Sequence, residues 1–141
     1  MTRINMGKVV IGGLLAGLVM NVIDFITNTY WLGAGWMEMA KARNLDPAAM
    51  QSTDVMVHYV LIDFAFGVLA VFLYAAMRPR FGPEPNTAVV SALTIWATTC
   101  LVVLSIQIIG MFTMAFYLQG CLAALCSVIP GTISGAWAYR E

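Results

Sequence analysis

Four long apolar stretches limit what this chain can fold into. They run roughly over residues 9–32, 55–77, 88–110 and 113–139. At 1.5 Å per residue, even the shortest reaches about 34 Å as a helix, against a hydrocarbon core of about 30 Å. The sequence therefore predicts an all-α membrane protein. Four transmembrane helices would form one bundle and one domain over residues 1–141. Composition points the same way. Hydrophobic residues make up 61% of the chain and charged residues 10%, where a soluble domain carries about 25% charged.

Arg3 and Lys8 precede the first stretch, as they would in a signal peptide. The stretch is too long for one, and no small-residue cleavage site closes it, so a retained first transmembrane helix is expected. Basic residues give the direction. Arg3, Lys8, Arg78, Arg80 and Arg140 fall on one side, and Lys41 and Arg43 on the other. That bias places both termini in the cytoplasm.

The loops carry local signals. In the 33–54 segment, Trp36, Met37, Ala40 and Leu45 suit a short interfacial helix on the outer surface. Asp46-Pro47 has the pattern of an N-cap followed by proline at the first helical position. Asp54 is expected to cap the second span. The inner segment 78–85 is proline-rich and should be stiff. The turn near Gly110 is short, so the third and fourth spans should form a tight hairpin.

Each span has a stripe of small or polar residues when wound at 100° per residue. On the first, Gly13, Gly17, Asn21, Asp24 and Asn28 share an arc of about 80°. The second groups Tyr59, Asp63, Gly67, Ala70 and Tyr74. The third groups Ser91, Thr94, Thr98 and Ser105. The fourth groups Gly120, Ala124, Ser127, Gly131, Ser134 and Ala138. Membrane helices associate through close backbone approach and hydrogen bonds, so these stripes are expected inside. Gly13-x-x-x-Gly17 and Gly131-x-x-x-Gly135 sit at matched depth on antiparallel spans, and direct contact between them is predicted. Pro130 removes a hydrogen bond to the carbonyl of Cys126 and should kink the fourth span.

Asp24 and Asp63 lie inside the apolar stretches, each about 12 Å from the assumed outer end. A carboxylate near the bilayer centre costs about 2.5–3.5 kcal/mol on insertion scales. Adjacent antiparallel spans would bring the two acids face to face with a shared proton. Asn21, Asn28 and Tyr59 are the candidate hydrogen-bond partners. Two readings stay open: a proton, cation or ligand site, and a neutral pair that locks two helices together.

His58 is the only histidine in the chain and lies about 140° around the helix from Asp63. It is a candidate axial ligand for a tetrapyrrole, although an interfacial or hydrogen-bonded histidine is the simpler expectation. Trp96, Cys100 and Gln107 fall on the side of the third span away from its polar stripe. Trp96 and Gln107 are therefore candidates for contact with another subunit.

Cys100, Cys121 and Cys126 form no C-x-x-C pair, and no metal site is expected. With no Ser-His or Cys-His arrangement in view, no catalytic residue is assigned and enzymatic chemistry is not expected. Net charge is zero without blocks of like charge, so nucleic acid is not an expected partner.

Three stretches carry a resemblance. They are Gly12-Gly13-Leu14-Leu15-Ala16-Gly17-Leu18-Val19-Met20-Asn21, Leu73-Tyr74-Ala75-Ala76-Met77-Arg78-Pro79-Arg80-Phe81-Gly82-Pro83 and Gly135-Ala136-Trp137-Ala138-Tyr139. Together they resemble a group of uncharacterised small four-span bacterial membrane proteins. The resemblance implies a location in the bacterial inner membrane and no activity.

The functional expectation is a non-catalytic membrane protein, packing in a larger complex or with copies of itself, with the lipid bilayer as its other partner. The alternatives are a small proton-linked transporter or channel using Asp24 and Asp63, and a lipid, quinone or tetrapyrrole binding protein. No cofactor is expected unless His58 ligates a tetrapyrrole.

Overall fold

In the computed structural model, which describes residues 4–139, all regular structure is helical. Four helical runs are long and apolar enough to cross a membrane. Helix α1 covers Met6–Thr27 and continues through a π-helical segment, Asn28–Leu32, into α2, Gly33–Ala42. A short α3, Pro47–Met50, precedes α4, Thr53–Phe81. Then follow α5, Pro85–Ile108, and α6, Met114–Ala138.

Several boundaries differ from the sequence expectation. The segment expected as a separate interfacial helix instead continues the first helix without a break. Met6–Ala42 is one run of 37 residues. The residues at the joint, Leu32 and Gly33, keep right-handed helical dihedrals, because an extra residue per turn is absorbed as a π-bulge rather than a break. Asp46 does cap α3, its side chain accepting from Ala48 N–H at 2.9 Å, with Pro47 at the first helical position. Asp54 does not cap α4. Ser52 does, accepting from Val55 N–H at 3.4 Å, while Asp54 sits in the first turn. The proline-rich inner segment is largely helix: α4 runs through Pro79 to Phe81, and only three residues separate it from α5. The α5–α6 connection is short and turns at Gly110, where φ is +80°. Helix α6 stays continuous past Pro130, which lies on its exposed side.

The beginning and end of the described residues meet at one end of the bundle, here the terminal end. Asn5 N–H donates to the Tyr139 hydroxyl at 3.4 Å. Tyr74 packs edge-on to Tyr139, the ring centroids 6.1 Å apart, and its hydroxyl donates to Pro83 O at 3.3 Å. The Arg78 guanidinium lies 5.8 Å above the Tyr139 ring. Arg3 and Arg140, two of the five residues behind the expected orientation, lie outside the described residues.

The core occupies the terminal half. Val9, Ala16, Met20, Ala70, Val71, Tyr74, Ala75, Ala88, Ile95, Ala136 and Tyr139 pack together there. Helix α1 is the centre of the assembly, with α4 on one side and α6 on the other. Each contact uses its own glycines. Gly13 and Gly17 face α4, where an added Cβ at Gly17 would lie 2.6 Å from Phe64 Cα. Gly67 of α4 presses on Gly13 O and the Gly17 backbone in return. Gly12 faces α6, and Gly131 and Gly135 face Met20, Ala16 and Gly12. So the predicted Gly13–Gly17 to Gly131–Gly135 contact is corrected. The α1–α6 approach exists, but the neighbouring face of α1 makes it. Six glycines and an alanine serve two seams roughly 100° apart on α1, because residues 12 and 13 differ by one helical step.

The third span is turned relative to expectation. Ser91 points in, donating to Ala70 O at 2.8 Å with no exposure. Thr94, Thr98 and Ser105 are exposed. Their hydroxyls donate back to Val90 O, Thr94 O and Val102 O at 2.8, 2.8 and 2.6 Å. A hydroxyl satisfied on its own helix does not need an inward neighbour, so polarity alone does not set its direction.

Candidate functional site

Asp24 and Asp63 sit where the packed core ends. One turn below Asp24 is Met20, fully packed against Gly131. One turn below Asp63 is Gly67, pressed on α1. Above both acids, large side chains are mostly exposed. The acids therefore lie at the edge of the packed core, Asp24 on α1 and Asp63 on α4, and each is half-buried.

Their surroundings are specific. The Asp24 carboxyl lies beside the Ser127 hydroxyl across the α1–α6 seam. Ser127 is 1% exposed and also donates to Ala124 O at 3.2 Å. Asp63 lies within electrostatic reach of Asp24, so the two acids share one environment. Asn21 sits between the helices. Its amide donates to Gly17 O at 2.9 Å and to Val60 O at 3.3 Å, bridging α1 to α4 beside Asp63. The bridge uses backbone carbonyls and leaves neither carboxylate dependent on Asn21.

Asn28 and Tyr59 take other roles. The Asn28 amide donates to the backbone carbonyl of Asp24 at 2.8 Å, and its oxygen accepts from Trp36 Nε1 at 2.8 Å. It thus fastens the π-helical turn to α2. Trp36 packs edge-on to Phe116, centroids 5.0 Å apart, and Phe116 meets Phe112 at 6.2 Å. This aromatic group pins α2 to the start of α6. Tyr59 is 59% exposed and lines a shallow cleft of about 270 Å³ with Leu45, Asp46, Ala49, Met50 and Val55.

His58 is exposed, its Nδ1 bonded to Asp54 O at 2.7 Å on its own helix. No group of three His, Cys, Asp or Glu side chains suited to a metal occurs among the described residues. Trp96 does not face outward: its indole N–H donates to Cys121 O at 2.8 Å within the bundle. Cys100 and Gln107 are also partly buried on α5. Of the two residues expected to meet another subunit, Trp96 therefore belongs to the internal α5–α6 contact. The indole is bulky and needs an acceptor, and α6 supplies both surface and carbonyl.

Two features escaped the sequence reading. Ser127 belongs to the α6 stripe, but the sequence alone does not pair it with Asp24. The signal was its position one turn from Gly131, which tracks Met20 as Asp24 does. The second is a group of Cys100, Tyr117 and Cys121, whose signal was their placement about the α5–α6 turn.

No family model, curated protein or solved structure matches the chain.

Proposed function

We propose that the chain is a non-catalytic integral membrane protein of the bacterial inner membrane, with both termini in the cytoplasm, acting as a subunit of a larger membrane complex or homo-oligomer. One observation carries this reading. Residues 56–62 of α4 are all exposed, including His58 and Tyr59. Seven consecutive residues cover about two turns, so no side chain on any face of this part of the helix is buried, and the Val60 carbonyl is reached from α1 by Asn21. A spanning helix in a finished bundle has one side against its neighbours. Here the missing neighbour would be another chain. The exposed Thr94, Thr98 and Ser105 stripe on α5 supports the same reading, since small hydroxylated surfaces allow close helix approach in lipid.

Extraction in mild detergent followed by native mass spectrometry tests the proposal. A species heavier than one chain is expected. Recovery as a lone monomer from native membranes would contradict it.

A second reading rests on the acids. Asp24 and Asp63 share one environment at the edge of the core, both half-buried, with Ser127 beside Asp24. Intramembrane acids commonly mark proton or ion routes. On this reading they carry protons in a transporter or channel assembled from several copies. Flux driven by a pH gradient in liposomes should fall for Asp24→Asn. Equal flux in the folded variant and the wild type would remove transport and leave the pair as a lock between helices.

A further inference from the structure

The α5–α6 hairpin holds two thiols that neither reading uses. Cys100 and Cys121 stand equidistant from the turn at Gly110 and Met111, on antiparallel helices, so they reach one depth. Two hydrogen bonds fix that register independently. Trp96, one turn before Cys100, donates through Nε1 to Cys121 O at 2.8 Å. Tyr117, one turn before Cys121, donates through its hydroxyl to Cys100 O at 3.0 Å. The clamp is reciprocal: each cysteine's backbone is held by the aromatic residue preceding the other. Within it the two thiols lie within interaction range of each other, with the Tyr117 hydroxyl beside them. Both cysteines are partly exposed on the flank of the bundle, whereas Cys126 is exposed elsewhere on α6.

We propose that Cys100 and Cys121 are a modification site, a dithiol that a lipid-soluble quinone oxidises to an intramolecular disulfide. Two S–H bonds break and one S–S bond forms. The two electrons and two protons pass to the quinone, which leaves as the quinol. The depth selects the oxidant. Each thiol lies about 10–12 Å along its helix from the end nearest the turn, within the apolar segment. A water-borne oxidant would have to leave the aqueous phase to reach that depth, whereas a quinone dissolved in lipid reaches the flank directly. The disulfide would tie α5 to α6 in the half of the bundle with the least internal packing.

The test uses wild-type protein in liposomes containing a fully ring-substituted quinone, which thiols cannot add to, under anaerobic conditions. The intact mass should fall by two hydrogens, a non-reducing peptide map should join Cys100 to Cys121, and dithiothreitol should restore the mass. Cys126→Ser should behave as wild type, while Cys100→Ser and Cys121→Ser should show no mass change, with far-ultraviolet circular dichroism confirming their helix content. An unchanged wild-type mass would overturn the proposal, as would a disulfide that includes Cys126 or joins two chains. The wild-type result decides the matter even if a serine variant does not fold.

Discussion

The two halves of this bundle are built on different terms. In the terminal half, glycines and alanines let α1 touch α4 and α6 backbone to backbone, and Ser91 ties α5 to the carbonyl of Ala70. In the loop half, contacts are few and made by long side chains: Trp36 on Phe116, Trp96 on the Cys121 carbonyl, Tyr117 on the Cys100 carbonyl. Small residues fix helices at one distance and allow little adjustment. Aromatic residues bridge a wider gap and leave α4 uncovered over residues 56–62. The contrast teaches where rigidity and accessibility are kept in so small a protein. The acids Asp24 and Asp63 lie at the boundary between the two regimes.

Substitutions in the two halves should therefore differ sharply. The largest effect is expected at Gly67, where a Cβ would run into Gly13 O and the backbone of Gly17. Gly67→Leu should cost at least about 1–3 kcal/mol, the usual range for overpacking, because the obstructing atoms are backbone. Thermal unfolding in detergent should show a marked loss of stability or no folded protein. Gly120→Ala, where nothing lies within 4 Å, should hold or raise the melting temperature. Comparable losses at both glycines would erase the distinction between halves.

A smaller effect is expected at Ser91. Ser91→Ala removes a buried hydrogen bond and leaves Ala70 O with only its helix partner, a loss of about 1 kcal/mol. The same unfolding measurement should resolve it. The smallest effect on the isolated chain belongs to Thr98→Val. Its hydroxyl serves its own helix, and an exposed substitution of this kind stays within about 0.5 kcal/mol. If the α5 stripe meets another chain, this variant should instead lower the recovery of the heavier assembly in native mass spectrometry. That separation of readouts distinguishes a packing seam inside one chain from one between chains.

Much of the architecture was legible in the sequence, for physical reasons. Four apolar runs of sufficient length admit few alternatives in lipid, and Asp46-Pro47 specifies its own cap. The tight third turn followed from the brevity of the polar gap near Gly110. Helix rotation was harder to read. Gly12 and Gly13 are adjacent, and which of them faces α6 depends on how three helices divide the surface of α1. Thr94 and Thr98 look like an inward stripe, yet their hydroxyls close on Val90 O and Thr94 O and impose no direction. Trp96 looked lipid-facing because its face opposes that stripe, so one error carried the other. The continuation of α1 into α2 was hidden for a different reason. Nothing in Asn28–Leu32 stops a helix, and the polar Asn28 that suggests an inward site in fact holds the joint to Trp36.

The sharpest test concerns the uncovered length of α4. Single nitroxides at positions 57, 58, 60, 61 and 62, in a protein with Cys100, Cys121 and Cys126 replaced by serine, would report access of lipid-dissolved oxygen around the helix. In native membranes one side of the helix should be shielded. In liposomes holding the purified protein at high dilution, that side should become accessible. Equal access on every side in native membranes would mean that no other chain covers α4, and the subunit reading would fail.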